Sequence, residues 1–111
     1  MAITVPTADD VQALHAFIYE RADEEHAAAM DDPTMDGAAM ERFSRVSNSN
    51  KYAITATAEL LVGLLSRGDD EQVARAWHCL TGAGEQWRDH PDYLARWENA
   101  QLAQIRQQLG G

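Results

Sequence analysis

The chain has 111 residues, 45% of them hydrophobic, with a formal net charge of −9. That length suits one domain spanning residues 1–111, and that hydrophobic share excludes a fully disordered chain. The single cysteine, Cys79, excludes an internal disulfide, and the start MAITVPTADD lacks the basic and apolar regions of a secretory signal, so a cytoplasmic protein is expected.

Charge is placed unevenly. Residues 1–41 hold ten acids against one base, Arg21, whereas residues 42–111 hold eight of each sign. Binding to phosphates needs clustered Lys and Arg, so neither nucleic acid nor an anionic membrane surface is expected as a direct partner. A basic protein partner, or solubility alone, fits the excess better.

In chain order, residues 1–6 read as a loose or short extended lead, because Pro6 blocks an earlier helix start. Thr7 and Asp10 resemble a capping box for a first helix over about 8–30. Its inward stripe is Val11, Leu14, Ile18, Ala22 and Ala29 with Phe17 alongside, while Asp23, Glu24 and Glu25 face outward. Asp31-Asp32-Pro33 interrupts the pattern, and a second helix is predicted from Pro33 or Asp36 to Val46. Ser47-Asn48-Ser49-Asn50 reads as the clearest loop. A third helix over 51–67 follows, apolar on most sides and therefore central. Threonines and Glu59 within it argue against a membrane span. Gly68 closes it, and Asp69 or Asp70 caps a fourth helix with Val73, Ala76, Trp77 and Leu80 inward, ending near Gly82 or Gly84. A fifth helix is predicted from Pro91 to Leu109, capped by Asp89 and fraying at Gly110-Gly111. No period-2 run of β-branched residues lies beyond the first six residues. The expected fold is an all-α bundle of four to five mostly antiparallel helices around the central helix.

Candidate chemistry is sparse. Asp23 and His26 lie three apart, but a di-metal bundle needs two Glu-x-x-His pairs and two further inward glutamates, so no metal and no cofactor is expected. Glu59 calls for an ion pair with His15, Arg42 or Arg45, or for the one exposed strip of its helix. His78 and Cys79 are adjacent, hence about 100° apart on a helix, which is poor geometry for base-assisted thiol catalysis. Neither a phosphate-binding Gly-rich loop nor a G-x-S-x-G elbow occurs. An enzyme is not the leading expectation.

The most distinctive text is Trp87-Arg88-Asp89-His90-Pro91-Asp92-Tyr93-Leu94-Ala95-Arg96-Trp97. Its D-H-P-D-Y-x-x-x-W string resembles the C-terminal tail of a family of small actinobacterial proteins of unknown function. The resemblance covers about eleven residues, this chain runs on past Trp97 where that tail usually stops, and the family implies no activity. On physical grounds alone, Asp89 and Pro91 would start a helix that stacks Tyr93 and Trp97 at i and i+4.

The leading functional expectation is a non-enzymatic interaction or regulatory module. Its partner-binding residues would be the acidic Asp23, Glu24 and Glu25 together with an aromatic patch of Trp87, His90, Tyr93 and Trp97. Its partner would be a basic protein or a second copy, a homodimer being a natural addition. Two alternatives are a small-molecule binder or enzyme with a pocket at Glu59, Trp77 and His78, and a mimic of DNA phosphates that occupies a DNA-binding protein.

Overall fold

A computed structural model describes residues 5–110. Among them the fold is all-α: α1 Ala8–Met30, α2 Gly37–Arg67, α3 Asp70–Gly84 and α4 Ala100–Gln108, with 3-10 turns at Glu85–Trp87 and Ala95–Trp97. The helical bundle read from the sequence is the fold observed. Among the described residues, no helix is long and apolar enough to cross a membrane.

α1 begins as expected. Thr7 Oγ1 accepts from the Asp10 N–H at 3.1 Å, and the Asp10 carboxylate accepts from the Thr7 N–H at 3.0 Å. That backbone N–H chiefly holds the Asp10 carboxyl below its ordinary value; burial opposes it, and the Thr7 hydroxyl and Arg96 assist it. Of the predicted lead, residues 1–4 lie outside the described residues, whereas Pro6 is buried and Val5 packs on the core, so 5–6 are held.

The second and third predicted helices are one. α2 runs unbroken for 31 residues, and Ser47-Asn48-Ser49-Asn50 lies inside it. The expected break rested on polarity, yet Ser47 and Lys51 are both buried. Lys51 gives its ammonium to Asp23 of α1, and Ser44 one turn earlier bonds His26 at 3.0 Å. The inward line Ser44, Ser47, Lys51, Ile54, Ala58, Leu61, Leu65 keeps helical spacing throughout, with polar partners substituting for apolar contact in its first half. Tertiary pairing therefore outweighs the modest helix disfavour of Ser and Asn. α2 starts at Gly37 on an Asp36 cap, whose carboxylate accepts from the Ala39 N–H at 2.7 Å.

The apolar run in the second half of α2 is covered on one side. Leu61 is fully buried, but Leu60 is 59% exposed. α1 is the more deeply buried helix, with Val11, Leu14 and Ile18 all sealed from solvent and Phe17 nearly so. α1 and α2 pack antiparallel, as His15–Thr55 and Asp23–Lys51 show by pairing early with late. Gly68 closes α2 at φ 72°, the left-handed region open to glycine, and Asp69 caps α3 at once. Gly84 lies so close to α1 that a Cβ there would meet Leu14 Cδ1 at 3.2 Å.

The fifth predicted helix is corrected. Residues 88–94 form turns and extended backbone, and α4 starts only at Ala100. The cap is Asn99 rather than Asp89, its Oδ1 accepting from the Leu102 N–H at 2.9 Å. Pro91 restrains the chain without nucleating a helix, because the segment has a packing target elsewhere. Gly110, placed in the frayed end, turns at φ 79° after α4, and Gly111 lies outside the described residues.

Candidate functional site

The two-residue turn at Gly68-Asp69 folds α3 back along α2, and the two helices diverge over the flank of α1. A groove of about 450 Å³ opens between them. One wall is the α2 face from Phe43 through Val46, Asn50 and Ala53 to Thr57; the other is Cys79, Leu80 and Ala83 of α3 with Gln86 and Trp87 beyond it, and Ala22 and Glu25 of α1 complete it. The walls are mostly apolar, and Glu25 is the one charged group among them. Glu25 is aimed by Trp87, whose indole N–H donates to Oε1 at 3.2 Å. Cys79 reaches the groove as an exposed free thiol.

None of Glu59, Trp77 and His78 lines this groove. Glu59 lies on the exposed strip of α2, which satisfies its charge by hydration. Trp77 is half-buried and packs on the core. His78 is exposed, with Nδ1 accepting from the Asn99 amide at 3.2 Å.

The acidic triplet stays on the surface, but each member has a partner within the chain. Asp23 holds Lys51, Glu24 accepts from Arg21 at 2.8 Å, and Glu25 accepts from Trp87. The aromatic string gathers around a residue the sequence left to the core. The Phe17 ring lies 5.1 Å from Trp97, 5.4 Å from His90, 6.0 Å from Tyr93 and 6.5 Å from Trp87, centroid to centroid. Trp97 is 3% exposed, while Trp87, His90 and Tyr93 are half-buried. Tyr93 and Trp97 do stack, edge to face at 5.7 Å, and the Tyr93 hydroxyl donates to the Trp97 carbonyl at 3.0 Å. That contact arises from a turn, since no helix joins them. Burial, then the Glu85 and Glu98 charges, push the Tyr93 phenol up to about 12.

Arg21, the lone early base, fastens this cluster. Buried to 8% exposure, its guanidinium sits over the Phe17 ring at 5.1 Å, and Nη1 reaches His90 Nε2 at 3.2 Å. The Asp92 N–H meets His90 Nδ1 at 3.0 Å. Two donors thus face a ring with one lone pair to give, so neutral His90 takes one bond at a time and protonated His90 takes neither. Arg21 and the groove wall from Val46 to Thr57 were the residues sequence reasoning missed. Their signal was a lone base inside an acidic helix, and a helix face with Lys51 as its only charge between Arg45 and Glu59.

Among the described residues, no group of three or more His, Cys, Asp or Glu is placed to hold a metal ion. No protein-family model, no curated protein and no solved structure matches the chain.

Proposed function

We propose that the chain is a non-catalytic, cytoplasmic interaction module whose docking surface is the outer face of α2 together with the groove beside it. One observation carries this reading. Val46, Tyr52 and Leu60 stand 60%, 78% and 59% exposed along the outer side of α2, Val46 at the rim of the groove. Apolar side chains gathered on one open face mark interaction sites more often than isolated exposed residues do. The acids Asp23, Glu24 and Glu25 lie outside that surface and would act only at a distance, on a partner that is basic, because their oxygens already serve Lys51, Arg21 and Trp87. Trp87, His90, Tyr93 and Trp97 are read as the packing device that sets the groove's end. The resemblance of their string to the actinobacterial family remains part of this proposal and adds no activity. The phosphate-mimic reading draws no support from acids that face their own chain's donors.

The test is capture of partners from a host lysate by the native chain and by Val46→Glu and Leu60→Glu, both at exposed positions. Loss of a stoichiometric partner in these variants, with retention in Glu24→Gln at moderate salt, is expected. Equal capture by all forms would remove the α2 face from the reading.

A second reading has its own support. The groove falls within the roughly 300–1,000 Å³ of small-molecule sites, and Glu25 offers a fixed carboxylate to an apolar ligand bearing a donor. Protection of the Cys79 thiol from alkylation by such a ligand, with a raised melting temperature, is the expected outcome. A thiol equally reactive with every compound tried would retire it.

A further inference from the structure

We propose that the occupant of the outer α2 face is a second copy of this chain, docked antiparallel about a two-fold axis near Tyr52; the proposal rests on the reading of that face as the docking surface. Val46, Ser49, Ala53, Ala56, Leu60 and Gly63 follow one another at steps of three and four residues, and all six are exposed. A 3.5-residue repeat keeps a seam facing a second helix running alongside, whereas a compact ligand imposes no such period.

Charge selects the copy and its direction. At −9, two copies repel over most of their surfaces, and the acids crowd residues 1–41. From Arg42 to Arg67 the exposed charges of α2 are Arg42, Arg45 and Arg67 against Glu59 alone, which makes it the surface where two copies approach with least repulsion. Along one flank of the seam lie Arg45, Tyr52 and Glu59, seven residues apart, so one side of the seam carries a base, an aromatic and an acid in order. An antiparallel pair centred on Tyr52 sets Arg45 of each protomer against Glu59 of its partner, twice. A parallel pair would place the two Arg45–Tyr52–Glu59 flanks on opposite sides of the seam, out of reach of each other, so only the antiparallel form pairs Arg45 with Glu59. Arg45 is free to exchange partners, because its bond to Glu41 at 3.1 Å joins two side chains each 70% exposed. Tyr52 then meets its own symmetry mate, and Val46 packs between the partner's Ala56 and Leu60. The contact is isologous and closes as a dimer.

The experiment is sedimentation equilibrium of the purified chain over about a hundredfold range of concentration, where a self-association shows as mass rising with concentration. A monomer–dimer equilibrium is expected. Ala53→Glu should keep its helical circular dichroism and remain monomeric. Arg45→Glu should weaken dimerisation about tenfold by setting like charges together, and adding Glu59→Arg should restore it. A monomer at every concentration overturns the proposal, as does a dimer indifferent to Ala53→Glu, and a swap that fails to rescue overturns the antiparallel pairing. If the chain stays monomeric while Val46→Glu still loses a different captured protein, the second copy falls and the docking surface stands. If neither measurement responds at this face, both fall.

Discussion

Arg21 joins three things at once: the Glu24 carboxylate, the Phe17 ring and the His90 edge of the following segment. Its aliphatic stem is part of the core, so the loss on truncation is mainly packing and ring contact rather than an exposed ion pair. Arg21→Ala is expected to lower stability by about 2 kcal/mol in chemical denaturation, and Lys should restore less than half of it, because an ammonium lacks the planar fork. Asn99 is the second such residue, 2% exposed, with its amide donating to the His78 carbonyl at 3.1 Å and to Thr81 Oγ1 at 3.0 Å. Replacing that amide by a carboxylate would turn an acceptor toward two acceptors. Asn99→Asp should therefore destabilise more than Asn99→Ala, itself about 2 kcal/mol, and the order of melting temperatures checks this. Tyr93 gives a pH signature. Its phenol is raised in the fold, so the associated stability is fully present below the ordinary value near 10 and is lost as pH rises through about 12. Tyrosinate absorbance should gain a late component near pH 12 that Tyr93→Phe removes.

At the scale of elements, sequence periodicity found α1 and α3 almost whole, caps included, because both bury continuous apolar stripes between strong start and stop residues. It split α2 for a physical reason: Ser47 and Lys51 occupy inward positions, and hydropathy cannot tell a buried, paired lysine from a solvated one. It lengthened α4 because Pro91 offers a valid helix start, whereas the competing pull of Phe17 on Tyr93 and Trp97 acts across 76 and 80 positions of the chain. The groove was hidden for the same cause, as two helix faces meet there only after Gly68 turns the chain. The continuity of α2 can be checked at Asn48, which is exposed. Asn48→Ala should raise stability by about 0.5 kcal/mol, as a helix site does, and Asn48→Pro should lower it by about 3 kcal/mol or more, where a loop would tolerate proline. Gly84→Ala tests the approach of α3 to α1: its methyl at 3.2 Å from Leu14 should lower the melting temperature, and Leu14→Val in the same chain should recover part of the loss.

Across the whole molecule, folding pairs the acidic first part with the balanced remainder. Asp23 finds Lys51, and Asp10 finds Arg96 at 3.0 Å. Asp10 is depressed in the fold, so its contribution is present above the ordinary carboxylate value of about 4 and is lost as pH falls below it. Acid unfolding should therefore begin below about pH 4, and Asp10→Asn should flatten that edge while leaving neutral stability slightly lower. The position of α1 also bears on how the chain is made. Its buried face is covered by α2, by α3 and by the aromatics of 87–97, all of which follow it in the sequence. On a translating ribosome α1 emerges ahead of all of these, with its stripe bare and only Arg21 to offset its six acids. Phe17 is closed over only once Trp97 has followed, and until then the apolar face of α1 stays open to solvent and to non-native contacts.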